Sequence, residues 1–163
     1  MLTNDVMMEY MDNAKKLLLR DKHVNPIAFC YSDNERIAVP LSFNTDNQKY
    51  YAYAQLGVLC ATMGSTDIIY INDAAMRQVT SEEDIERMRT DPTEQPLAYP
   101  KSMRKEVLLL STYDFINDKS NSMVQIYRDD TGEIEWQEFL LDQQMDGNIL
   151  ECIIRGYRYA KEH

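Results

Sequence analysis

Histidine is almost absent: among 163 residues only His23 and His163 carry an imidazole. Zinc hydrolases and deaminases need closely spaced ligands, as in H-E-x-x-H, or H-x-E with P-C-x-x-C. Neither pattern occurs, since His163 is the last residue and His23 lies in a loop-like stretch before Pro26. A Ser-His-acid triad would have to use His23, and no G-x-S-x-G elbow accompanies it. A Cys-His pair would need Cys30, Cys60 or Cys152 to reach the same loop. His23 reads as a solvated loop histidine, and no metal site is expected.

Glycine is scarce as well, with 5 in the chain. Neither G-x-G-x-x-G nor G-x-x-x-x-G-K-[ST] is present, so no phosphate cradle and no cofactor are expected. Met63-Gly64-Ser65-Thr66 is a helix stop. Asp130-Thr131-Gly132 matches the aspartic-protease triplet, but its flanks Arg128-Asp129 and Glu133 are charged, as suits a hairpin turn.

The three cysteines, Cys30, Cys60 and Cys152, form no C-x-x-C, and each lies among apolar neighbours. They read as reduced core residues. An odd number without a secretory pattern points to a reducing cytoplasm. Asp5, Glu9 and Asp12 interrupt the N-terminal stretch, which excludes a signal-peptide pattern there. Long apolar runs are missing too. The longest aliphatic run is Val107-Leu108-Leu109-Leu110, far short of the roughly 20 residues that span a bilayer.

Basic residues are outnumbered: 17 Lys and Arg face 27 Asp and Glu, for a net charge of −10. Nucleic-acid binding needs a basic stripe that displaces counterions, and the densest basic stretch, Lys101-Ser102-Met103-Arg104-Lys105, is short. Anionic membranes are disfavoured for the same reason. The remaining macromolecular partner is a protein, or a second copy of the chain.

What is present is a regular alternation of elements. Thr3 or Asn4 caps a helix over residues 5–20, with Val6, Tyr10, Ala14 and Leu17 on one stripe and Met7, Met11 and Leu18 beside it. Ile27-Ala28-Phe29-Cys30-Tyr31 and Ile37-Ala38-Val39-Pro40-Leu41 form a hairpin around Ser32-Asp33-Asn34-Glu35. Pro40 marks the return strand as an edge or ends it. Asp46 or Asn47 caps a second helix that ends at Gly64, with Gly57 allowing close packing on the sheet. Ile68-Ile69-Tyr70-Ile71 suits a buried central strand, after which Asn72 or Asp73 caps a brief turn. Residues 80–100, with Pro92, Pro96 and Pro100, read as a loop or flap opened by one or two helical turns, anchored by Leu97 and Tyr99. Strands over 107–113 and 123–127 flank a polar loop at 117–121, and a strand with Ile134, Trp136 and Phe139 follows. A last helix covers residues 146–160. The order α-β-β-α-β-(loop)-β-β-β-α implies one α+β domain. Its sheet has five or six strands, antiparallel or mixed, with three main helices packed on it.

Several of these features resemble a family of small bacterial and phage proteins without an assigned activity. The shared features are Pro26 with its strand, Val39-Pro40-Leu41, the helix leading to Ile68-Ile69-Tyr70-Ile71, Asp73-Ala74-Ala75-Met76, a proline-bearing loop, and Lys105-Glu106-Val107-Leu108. The resemblance covers about residues 24–140 and implies no catalytic residue; the family pattern has Glu and Trp at the places of Asp73 and Met76. In element order alone the chain is also similar to Roadblock-type scaffolds and type III secretion chaperones, both small dimeric αβ proteins.

Two sets of residues are candidates for function. Asp67 and Asp73 flank the third strand, where an acid paired with another acid can act as a general base; capping is the competing role. The acids Glu82, Glu83, Asp84 and Glu86 suit a helix start. The second set comes from 11 Tyr and 10 Met. Met7, Met8 and Met11 on the first helix, with Tyr50 and Tyr51 on the second, exceed what one inner stripe needs. Met8 and Tyr51 fall furthest from those stripes. Two functions follow: a non-enzymatic protein-interaction domain acting as a homodimer, or a small hydrolase or ligand-binding domain whose acids lie beneath the 80–100 flap.

Overall fold

The computed structural model describes residues 2–76, 82–90, 105–143 and 148–163. Its order is α1 (Asn4–Asp21), β1 (Ile27–Tyr31), β2 (Arg36–Pro40), α2 (Asp46–Met63), β3 (Asp67–Met76), α3 (Glu82–Thr90), β4 (Lys105–Asp114), β5 (Lys119–Arg128), β6 (Glu135–Gln143) and α4 (Asn148–Glu162). The fold is α+β. The strands form one sheet in the order β2-β1-β3-β4-β5-β6, with every neighbouring pair antiparallel. Of the expected flap, the short helix α3 is described; Pro92, Pro96, Leu97, Tyr99 and Pro100 lie outside the described residues.

Strand alternation makes two cores. On β3, Ile69 and Ile71 point to one face and Ile68 and Tyr70 to the other. The first face is covered by α1, whose Met7, Met11, Ala14 and Leu18 recur at helical spacing and are buried with Leu108, Leu110 and Met123. Here the expected stripe is rotated: Leu17 is exposed and Val6 and Tyr10 are half-buried, because the sheet selects the methionine side. The opposite face is covered by α2 and α4, which bury Tyr53, Leu56, Cys60 and Ile153 against Ala28, Cys30, Ile68, Tyr70 and Tyr113.

Helix ends follow local chemistry. Thr3 Oγ1 accepts from the Val6 N–H at 3.3 Å, and Lys22 closes α1 in the left-handed region at φ 65°. At α2 the cap is Thr45, not Asp46 or Asn47. Thr45 Oγ1 accepts from the Gln48 N–H at 3.2 Å while Gln48 Oε1 accepts from the Asn44 N–H at 2.8 Å. The Thr-x-x-Gln pair thus satisfies one helix-end donor and the N–H of the residue before the cap.

Three further expectations are corrected. The chain does not turn at Asn72 or Asp73; β3 continues to Met76, paired along its length with β4, so long-range ladder bonds override local capping chemistry. The loop at 117–121 shrinks to a turn at 115–118, with Asp118 at φ 54° and β5 starting at Lys119. Gly57 packs on α4, not on the sheet. A Cβ there would lie 2.0 Å from the Ile153 carbonyl oxygen, and one at Gly156 would lie 2.0 Å from the Ala54 oxygen. The two helices therefore touch backbone to backbone.

Both sheet edges are blunted. β2 ends on Pro40, and β6 carries Glu135, Glu138 and Asp142 with register shifts against β5.

Candidate functional site

At one end of the sheet β3 begins and β4 finishes. Asp67 and Asp114 are register partners there, and both are buried, at 7% and 3% exposure. They lie on the same side as Ile69 and Thr112, the α1 side. Beside them is a cleft of about 650 Å³. Thr112 joins the two acids in its lining, Leu2, Thr3 and Asn4 bring in the start of α1, and the β4–β5 hairpin adds Asp118, Lys119 and Asn121.

The two acids are not equivalent. Asp114 accepts from the Ile116 N–H at 2.9 Å, the Asn117 N–H at 3.0 Å and Asn117 Nδ2 at 2.8 Å. This carboxylate organises the hairpin turn. Burial pushes its pKa up, but the side-chain and backbone bonds from Asn117 and the bond from Ile116 outweigh it. The net effect is a carboxyl below its ordinary range. An acid so held is a poor proton carrier near neutral pH. The neighbouring Tyr113 hydroxyl donates to Asp118, and burial, then that carboxylate, push the phenol up to about 12. Among the described residues no group of three or more His, Cys, Asp or Glu is placed to hold a metal ion.

Asp73 stands elsewhere. It lies six residues along β3 from Asp67, about 20 Å at strand rise. Its Oδ2 accepts from the Val24 N–H at 3.0 Å and so ties the segment after α1 to the sheet. The structure therefore does not bring the two candidate acids together. Asp67 gains Asp114 instead, a partner 47 positions away in sequence that no local signal marks. His23 is exposed, and its Nδ1 bonds the Asp21 carbonyl at 3.0 Å.

The interface candidates also separate. Met7 and Met11 are core residues at 0% and 1% exposure, so they offer no surface; the α1 methionines are used for packing. Met8 is half-buried against the same core, and Tyr50 is half-buried. Tyr51 projects from α2 at 66% exposure. On α4, Tyr159 is exposed and stacks on His163.

Among the described residues no helix is long and apolar enough to cross a membrane. No protein-family profile, no curated protein and no solved structure matches this chain.

Proposed function

We propose that this chain is a non-enzymatic protein-interaction domain that acts as a homodimer through the outer face of α2. One observation carries the reading. Residues 50–66 contain no Asp, Glu, Lys, Arg or His, in a chain of net charge −10. On that stretch Tyr51, Gln55 and Thr62 are exposed at helical spacing, so the outward stripe of α2 is uncharged. Two copies of an acidic protein repel each other across most of their surfaces. A neutral stripe bearing a tyrosine is where a two-fold contact meets least repulsion. The earlier candidates narrow to Tyr51, with Tyr50 at its border. The resemblance to the bacterial and phage family remains part of this proposal and assigns no residue a role.

Sedimentation equilibrium at micromolar concentration tests it. The expected result is a dimer that Gln55→Glu converts to a monomer without loss of thermal stability, because the substitution places two carboxylates near the two-fold axis. A strict monomer before substitution overturns the reading.

A second reading rests on the register pairing of Asp67 with Asp114 beside the cleft. In it the cleft takes a small polar ligand, with hydrolysis as a further step. A thermal-shift screen with small cationic and polyhydroxyl compounds tests this. A rise in Tm that Asp67→Asn abolishes supports it; no rise across the panel removes it.

A further inference from the structure

β1 and α2 each bring a cysteine to one point of the core. Cys30 lies on the β1 face that α2 covers, and Cys60 lies on the inner stripe of α2 with Tyr53 and Leu56. Both are 0% exposed and their Sγ atoms are 3.5 Å apart. Ser65 is close by, since its backbone N–H donates to the Cys60 carbonyl at 2.8 Å. The Ser65 hydroxyl is itself buried without a hydrogen-bond partner among the described residues.

Free cysteines in a core usually serve as small hydrophobes. Here sulfur meets sulfur next to an orphan hydroxyl, and both features have a use if Cys60 ionises. A thiolate at Cys60 accepts from the Cys30 S–H, and Ser65 offers a second donor. The bond from Cys30 lowers the Cys60 thiol against the opposing effect of burial. The same bond, then burial, push the Cys30 thiol up. Ser65 follows Cys60 at the end of α2, so Cys60 is taken as the attacking sulfur and Cys30 as the resolving one.

We infer that Cys30 and Cys60 form an oxidation site that reacts with a hydroperoxide and closes to a disulfide tying β1 to α2. Hydrogen peroxide suits a site without exposure, being uncharged and little larger than water. The Cys60 thiolate attacks one peroxide oxygen, the O–O bond breaks, and hydroxide leaves to take up the proton that Cys60 released. This leaves a sulfenic acid on Cys60. Cys30 sulfur then attacks the Cys60 sulfur. The S–S bond forms, the S–O bond breaks, and the oxygen leaves as water with the Cys30 proton. Two thiols and one peroxide give one disulfide and two waters. Cys152, half-buried on α4, has no sulfur partner among the described residues and serves as an internal control. The inference does not depend on the dimer.

The test treats native protein with hydrogen peroxide, quenches with an alkylating reagent, and reads intact mass and linked peptides. The expected product has lost two hydrogens, contains a Cys30–Cys60 peptide, and keeps an alkylatable Cys152. Closing a loop of about 30 residues raises Tm by roughly 10 °C, reversed by a dithiol. In Cys30→Ala, Cys60 accumulates as a sulfenic acid that dimedone traps; in Cys60→Ala, Cys30 gives no adduct. If either variant fails to fold, the unsubstituted protein decides through its linked peptide and reversible Tm shift. Both thiols still alkylatable after later unfolding, oxidation of Cys152 before the pair, or linkage only in denaturant would each overturn the inference.

Discussion

The two faces of the sheet are packed by opposite means. The α1 face is filled by interlocking side chains, in which Met7 and Met11 from the helix and Met123 from β5 fit between leucines and isoleucines. The opposite face holds a helix pair in contact through its backbone, where Gly57 and Gly156 leave no room for even one carbon. Methionine adapts its three rotatable bonds to an irregular gap. A backbone contact cannot adapt, because carbonyl groups held in a helix do not move without moving the helix. The first face should tolerate change of shape, and the second should not.

The sharpest way to break this contrast is Gly156→Ala. Its Cβ would meet the Ala54 oxygen at 2.0 Å, so the helices must separate. Even after the better helix propensity of Ala, we expect a loss of about 3 kcal/mol in urea unfolding. A neutral or stabilising result would show that the contact is soft. On the other face, Met11→Leu should cost only about 1 kcal/mol by the same measurement, although Met11 is 1% exposed. An equal cost for both substitutions would erase the distinction.

Asp114 sharpens the comparison at the end of the sheet, where packing gives way to hydrogen bonds. Asp114→Asn should cost about 1 kcal/mol, since an amide cannot replace a carboxylate toward all three donors. The substitution also has a pH signature. The folded-state carboxyl is held below its ordinary value, chiefly by bonds from Asn117 acting against burial. Its contribution is therefore complete above the ordinary carboxylate range and is lost as pH falls through the lowered pKa. Urea midpoints followed from about pH 5 down to about pH 2 should fall less steeply in Asp114→Asn. An unchanged slope would show that the turn bonds do not set the acid response.

The smallest effect on stability belongs to Tyr51→Ser, expected within about 0.5 kcal/mol because the side chain is mostly exposed. Its readout is association, which should weaken in sedimentation. A large loss of stability would place Tyr51 among the packing residues and remove the contrast between the inner and outer faces of α2.

How far the sequence could be read depended on the range of the interaction concerned. The helix stop at Gly64, the hairpin around 32–35 and the interior place of Ile68-Ile69-Tyr70-Ile71 were legible, because turn chemistry and apolar runs act within a few residues. Asn72 and Asp73 misled, since the same side chains that cap turns also tolerate a strand when β4 supplies a ladder. The site was the least legible part. Asp67 was visible as an acid at a strand end, but its partner Asp114 was not, and Asp73 proved to anchor Val24. The sulfur pair was equally hidden, since 30 residues separate Cys30 from Cys60.

The sequence by itself determined the element order, the α+β class, the acidic balance of charge and the absence of zinc and nucleotide motifs. Each depends on composition or on spacing along one element. Tertiary structure alone decided which side of α1 faces inward, that Gly57 meets α4, which acids share a cleft, and that two cysteines touch. These are contacts between elements, and their geometry depends on the register of strands and the approach of helices, which no local pattern encodes.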